Sequence, residues 1–404
     1  MSRKKYLLLL FLAWISPILC GLLWGKIALL IYTLLLSVLL VKSLQRKWLN
    51  YLLYSLIFLS VVDTMLNLFN RYRVNQQTLF VETEIPLVHK YKENSILNVD
   101  YIDGELGSNA KKYPLQIRID NLGYRNNKHT QDSCDVLLLG DSFGVGNAEQ
   151  DSIISELMYS DHHLNTYNLS VSGNGPWEQH LLLTQDLSKV KLKKGATVVW
   201  LLFAGNDLEG NFYPLGEEEE LNSFRYRWSR FRDDYFTFRS QSPLRNLSAV
   251  VTNQSSDRVE AKNSEMKFYA PYIKESKDWL CCDCDVSFHK NITLFKNTLA
   301  CTIKYLQDRD LNVHIYLLPS KEEVYGGLLE EGSPWGINDF ESPLSRVIRE
   351  IAQTNNVEYF DLKSALMVSS AEHKTFYYWN YDTHLNHKGN KLISDIISER
   401  VLNR

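Results

Sequence analysis

The stretch VLLLGDSFGVG, residues 136–146, limits the fold more than any other part of the chain. Four apolar residues run into Gly-Asp-Ser and then into small residues. A buried strand that stops at a glycine presents the next residues at its carboxyl end, and in an open α/β sheet that end is where ligands bind. Ser142 is therefore a turn residue or a nucleophile, and the rest of the chain has to supply any partners.

Beyond Cys134, short apolar strands alternate with helical patterns. Strands are expected at Val136–Leu139, Thr166–Leu169, Thr197–Phe203, Asn312–Leu318 and Val357–Asp361, and helices over about 176–187, 292–308 and 342–354. This alternation implies an α/β domain, residues 132–404, with a parallel sheet covered on both faces. Residues 208–290 break the rhythm with aromatic and charged residues; they read as an insertion and a candidate lid. Residues 71–131, with β-like stretches such as LQIRID at 115–120, read as a linker that packs onto the domain.

At 404 residues the chain is long enough for two units. Apolar runs cover Tyr6–Trp24, Ile27–Val41 and Trp48–Phe69. A spanning helix needs roughly 20 apolar residues; the short middle run can extend to Trp24 and Ser43. A cleaved signal peptide explains the first run less well, because two more runs follow closely and no small-x-small cleavage site precedes them. Residues 1–70 are thus expected to form a membrane anchor of three transmembrane helices. Arg3, Lys4 and Lys5 precede the first run, and Lys42, Arg46 and Lys47 follow the second, whereas the first loop carries only Lys26. Positive-inside counting puts the N-terminus in the cytoplasm and everything after Phe69 outside it; Arg71 and Arg73 count the other way.

The formal charge is −3, and the first 75 residues carry nine Lys or Arg against one Asp, which leaves −11 for the remainder. A domain so acidic is a poor binder of nucleic acid. Asp63, inside the third run, reads as facing water or a partner helix. Of six cysteines, Cys281, Cys282, Cys284 and Cys301 cluster, without zinc-knuckle spacing. In an oxidising compartment one or two disulfides within that cluster are expected, with at least one thiol unpaired.

Three further stretches join the first: NLSVSGNGPWEQ at 168–179, FAGNDLEGN at 203–211 and YDTHLNHKGN at 381–390. Each lies where a strand end or loop reaches the same sheet edge. Together they supply a hydroxyl, an amide, a carboxylate and an imidazole. A serine hydroxyl is a weak nucleophile until a base takes its proton. His384 can be that base, and Asp382, two residues earlier, can fix its tautomer. The N–H groups of Ser142 and Gly173 and the side-chain amide of Asn206 can face an oxyanion. Asp141 and Asp207 read as loop anchors through Asx-type hydrogen bonds. His387 competes as base but falls where the closing helix should begin. Asn386 and Gly389 read as helix-start and packing residues. Trp177 and the Tyr-rich 376–381 stretch fit either a sugar groove or aromatic core.

These blocks resemble the SGNH (GDSL-type) serine hydrolase superfamily, with Ser142, Gly173, Asn206 and His384 as the four eponymous residues, over roughly residues 115–404. The resemblance implies a flavodoxin-like α/β/α domain, a Ser142–His384–Asp382 triad, an oxyanion hole of Ser142, Gly173 and Asn206, and no metal or organic cofactor. NLGYR at 121–125 is similar to the N-x-x-G-x-R of membrane-attached members. Most members place the Asp three residues before the His. The D-x-H form here is similar to exopolysaccharide O-acetyltransferase relatives, including alginate-acetylating proteins, as is PSKEEVY at 319–325. The implied function is an extracytoplasmic, membrane-anchored esterase or O-acyltransferase that removes or transfers small acyl groups on a glycan, facing the periplasm of a bacterial inner membrane or the cell exterior. A separate multispanning membrane acyltransferase is the implied partner. A lipid-active esterase and a non-catalytic glycan-binding or assembly subunit are the alternatives.

Overall fold

The computed structural model describes residues 80–83, 88–103, 111–207, 215, 258–260, 266–269, 286–328 and 343–403. The three apolar runs, Asp63, Cys20, Cys281, Cys282 and Cys284 lie outside them. Among the described residues no helix is long and apolar enough to cross a membrane.

Two antiparallel ladders come first, β1 (Phe80–Glu82) with β2 (His89–Tyr91) and β3 (Ile96–Asp103) with β4 (Lys111–Arg118). The chain then runs through β5 (Cys134–Gly140), α1 (Ser142–Val145), α2 (Ile154–His162), β6 (Thr166–Asn168), α3 (Pro176–Asp186) and β7 (Leu192–Phe203). Next come β8 (Arg258–Glu260), β9 (Lys267–Tyr269), α4 (Val286–Gln307), β10 (Asn312–Leu318) and α5 (Lys321–Tyr325). The last elements are α6 (Pro343–Thr354), β11 (Glu358–Asp361), α7 (Lys363–His373) and α8 (His387–Leu402).

Five parallel strands form one sheet in the order β11-β10-β7-β5-β6. This is the expected flavodoxin-like winding, whose order reverses between β5 and β7, and the crevice beyond the strand ends at that point is the usual ligand site. Val136–Leu139 of β5 and Val198–Phe203 of β7 are apolar throughout because both faces are covered there. Val136 to Leu139 and Val198 to Phe203 are at most 1 % exposed. Each such Val or Leu contributes about 1.5–3 kcal/mol relative to an exposed one. All five expected strands are present, and β7 extends back to Leu192 through exposed Lys193 and Lys194.

Helices α2 and α7 have no counterpart in the sequence expectation. α2 buries Ser155 and Glu156 beside Ile154 and Met158, and α7 buries only Leu366, so neither carries a clear apolar stripe. The expected linker packs as strands and turns of the same compact unit: Tyr91, Leu115, Ile119 and Tyr124 are buried. Lys90 makes a 2.9 Å ion pair with buried Asp186. Part of the expected insertion is core rather than lid. Met266 and Phe268 are fully buried with Tyr316, Leu318 and Val324, as the period-2 pattern Met-Lys-Phe of a strand dictates. Cys301 is an exposed free thiol, because it lies on the solvent side of α4 away from buried Thr298 and Thr302. Trp177 is core, 1 % exposed, and so is Tyr378.

The closing helix begins as expected: the Asn386 side chain accepts hydrogen bonds from the N–H groups of Lys388 (2.9 Å) and Gly389 (3.1 Å). A Cβ on Gly389 would stand 2.1 Å from the Tyr377 carbonyl oxygen. Backbone cannot yield there cheaply, so Gly389→Ala is expected to cost about 3 kcal/mol, the upper end for overpacking. Chemical denaturation checks this; an unchanged midpoint would mean that the helix start is loosely packed.

Candidate active site

Ser142 leaves β5 two residues past Gly140, whose partner on β7 is Leu201. Asp141 caps the short helix α1 by accepting the Phe143 N–H at 2.9 Å. That Asx turn lifts Ser142 off the strand axis at the sheet's carboxyl edge. Beneath it, Arg125 is fully buried. Its guanidinium donates to the carbonyls of Val145 (3.1 Å), Gly146 (2.6 Å) and Ala148 (2.8 Å) and to the Gln150 side chain (3.1 Å). This fork holds the loop after the nucleophile, and Arg125 is the last residue of the NLGYR stretch.

His384 arrives from the far end of the chain. Its loop is closed by an antiparallel bridge between Tyr378 and Leu385, and its carbonyl accepts the Trp379 N–H at 3.0 Å. The Ser142 hydroxyl donates to His384 Nε2 at 2.8 Å. On the other side of the ring, Nδ1–H donates to Asp382 Oδ1. The same Oδ1 accepts the backbone N–H of His384 at 2.7 Å. This explains the two-residue spacing: an Asx turn brings residue i+2 back over the carboxylate, and when that residue is His one oxygen holds both backbone and ring. The Phe143 ring lies 4.7 Å from that of His384 and 4.0 Å from that of Phe203, so the imidazole rests on an aromatic floor. The His384 and Asp382 side chains keep 20 % and 29 % exposure, so a substrate can reach them.

Lys321 fixes the loop from below. It is fully buried, and Nζ donates to the carbonyls of Trp379 (3.2 Å), Asn380 (3.2 Å) and Asp382 (2.9 Å). Ser320 and Glu323 form a capping box that holds the lysine at the start of α5. Burial pushes the Glu323 carboxyl up to about 7. The insertion joins in, as the Lys267 N–H donates to Asn380 O at 2.8 Å.

Gly173 and Asn206 occupy the loops on either side of Ser142, after β6 and β7, the two neighbours of β5. Both are exposed, and Gly173 has φ +82°. Asp141 anchors its loop through the expected Asx turn, whereas Asp207 anchors its own by reaching back four residues to accept the Phe203 N–H at 2.7 Å. Both carboxyls are buried, and desolvation raises both; at Asp207 the nearby charge of Asp141 adds to it. His387 sits exposed on the first turn of α8, 6.4 Å from the Trp379 ring, and the serine's hydrogen bond goes to His384. Among the described residues no group of three or more His, Cys, Asp or Glu side chains is placed to hold a metal. Sequence reasoning missed Phe143, Arg125 and Lys321 as working parts. Only family-like motifs marked the last two, since a buried cation leaves no periodic signal.

No family model and no curated protein matches the chain. Solved structures do. An acetyl xylan esterase, AlAXEase, is 15% identical, with 66% of this chain and 98% of that one covered and a TM-score of 0.35. A lipase/acylhydrolase from Enterococcus faecalis is 11% identical, with 67% and 95% covered and a TM-score of 0.34. A psychrotrophic esterase, EstA, from Pseudoalteromonas sp. is 13% identical, with 67% and 98% covered and a TM-score of 0.31. Overlaps this low leave the chemistry to be read from the geometry above.

If Asp382 orients His384, Asp382→Asn leaves the fold intact and cuts turnover of an activated acetyl ester by about 10,000-fold, the cost of the wrong imidazole tautomer. His384→Ala is at least as damaging, and the double variant costs little more, because the two act as a unit. His387→Ala is mild. Near-normal turnover for Asp382→Asn would leave a Ser-His dyad, and a severe loss confined to His387→Ala would identify the wrong base.

Proposed function

We propose that the protein is a serine acyl-ester enzyme of the SGNH type. The observation that carries this reading is the continuous Ser142–His384–Asp382 hydrogen-bond chain at the carboxyl edge of a parallel sheet. Ser142 attacks the ester carbonyl while its proton passes to His384 Nε2. The negative charge on the former carbonyl oxygen is met by the N–H groups of Ser142 and Gly173 and the amide of Asn206. Collapse breaks the ester C–O bond, and the departing alkoxide takes the proton back from His384. Water then attacks acyl-Ser142 while His384 takes its proton; the acyl–Ser142 bond breaks, Ser142 Oγ takes the proton back from His384 and the acid leaves, which is hydrolysis. A sugar hydroxyl in place of water makes the same step a transfer.

The substrate we favour is a small acyl group, such as acetyl, on a glycan. Support comes from the D-x-H form of the acid–base loop and from the lysine of the PSKEEVY stretch seated under it, both similar to polysaccharide O-acetyltransferase relatives. The apolar N-terminal runs and their basic flanks support a membrane anchor with the domain facing the periplasm or cell exterior. In a transfer reaction a multispanning membrane acyltransferase is the fitting acyl donor.

A membrane-impermeant fluorophosphonate applied to spheroplasts is expected to label wild type and not Ser142→Ala. Labelling only after detergent lysis would keep the enzyme and overturn its orientation, and no labelling under either condition would overturn the enzyme. Asn206→Ala is expected to lower kcat about 100- to 1,000-fold with KM nearly unchanged, the cost of one oxyanion donor. A changed KM with normal kcat would make Asn206 a substrate-positioning residue instead.

A further inference from the structure

β2, which precedes the α/β domain, reaches the loop that carries Gly173. The Ser172 carbonyl lies 3.0 Å from His89 Nε2. A carbonyl only accepts, so Nε2 carries the proton and donates. The Tyr91 hydroxyl and Ser172 Oγ are 2.7 Å apart, and the Asn174 side-chain amide donates to the His89 carbonyl at 3.1 Å. Gln179 Nε2 donates to Asn174 O at 2.8 Å. The strand is itself fixed, through Lys90 on Asp186 (2.9 Å) and the Tyr91 N–H on Gly123 O (3.2 Å).

The backbone here is a β-turn. Asn174 N–H donates to Val171 O at 3.2 Å, and Gly173, third of the four residues, has φ +82° while Ser172 has no positive φ. A positive φ at the third residue and none at the second is the pattern of a type II turn. The central Ser172–Gly173 peptide of such a turn has one competitor, the type I arrangement, in which that peptide is rotated by about half a turn. The two arrangements point the Gly173 N–H in opposite directions. Because a peptide unit is planar and trans, its C=O and N–H point opposite ways. Holding the Ser172 carbonyl therefore aims the Gly173 N–H. A donor on the carbonyl also polarises the N–H at the far end of the same peptide, strengthening it.

We propose that His89 is a positioning residue that locks the Ser172–Gly173 peptide in the orientation that presents the Gly173 N–H to the oxyanion. This rests on the serine-enzyme reading above. It makes a strand outside the expected hydrolase-like domain part of the catalytic apparatus. A second geometric fact agrees: a Cβ built on Gly173 falls 3.9 Å from His89 Nε2, on the carbonyl side of the turn, where type II geometry tolerates only glycine or asparagine.

The experiment compares the full chain with His89→Leu, which fills the space without a donor, and His89→Gln, whose amide can donate to the same carbonyl. With an activated acetyl ester, His89→Leu is expected to lower kcat about 100-fold with KM nearly unchanged, approaching the loss of one oxyanion donor. Fluorophosphonate inactivation, whose adduct places an oxygen at the same donors, is expected to slow in step, and His89→Gln to recover most of both. Should His89→Leu fail to fold, His89→Glu makes the comparison: it matches Gln in size but only accepts when ionised. Wild-type kcat in the non-donating variant, or a loss that Gln does not recover, would overturn the role of His89. If those results come from a wild type that fluorophosphonate labels at Ser142, the serine-enzyme reading stands; an unlabelled wild type would remove both.

Discussion

A hydrogen bond between residues 242 positions apart, from Ser142 to His384, is the constraint that the described structure serves. A base two ångströms out of place does not activate a hydroxyl, because a catalytic group must lie within hydrogen-bond reach. Neither partner can be placed locally. Ser142 needs a strand that ends at the right height, and His384 needs a loop that folds back over the sheet edge from just before the last helix. Buried cations on both sides meet these needs. Arg125 ties the carbonyls after the serine, and Lys321 ties those before the histidine. Removing Arg125 would take this donor from the buried carbonyls of Val145, Gly146 and Ala148, at a cost of about 1–3 kcal/mol for each left unmet.

Carboxylates divide into two kinds by what their oxygens meet. Asp141 and Asp207 are buried and accept backbone N–H groups, and burial favours their protonated forms. Asp382 makes the same Asx turn as Asp141 but is partly exposed, and its turn closes on an imidazole. One local motif, the Asx turn, thus serves as a loop anchor at Asp141 and carries the carboxylate partner of the imidazole at Asp382.

The sheet and the chemistry were legible in the sequence for different reasons. The inner parts of β5 and β7 are covered on both faces and read as apolar runs, and β10 reads as one interrupted by His314. Ser142 stood out because it follows a strand end at a glycine, and Asp382 and His384 because an acid and an imidazole sit together just before the closing helix. Helices α2 and α7 were not legible, since the buried face of α2 mixes polar and apolar residues and α7 buries only Leu366. The contribution of β2 was also hidden. His89 and Tyr91 act through hydrogen bonds to a turn 81 or more residues away, and nothing in a short strand's pattern announces that. The insertion was half legible: its aromatic content was visible, but the alternation that buries Met266 and Phe268 spans only a few residues.

The central claim is that Ser142 carries the acyl group between donor and acceptor. Intact-protein and peptide mass spectrometry after rapid acid quench with an activated acetyl ester tests it most directly. The account predicts one added acetyl group on the peptide containing Ser142, accumulating in a burst before steady turnover and absent from Ser142→Ala. Steady turnover by a protein that never carries acetyl at Ser142, or turnover undiminished in Ser142→Ala, would contradict it.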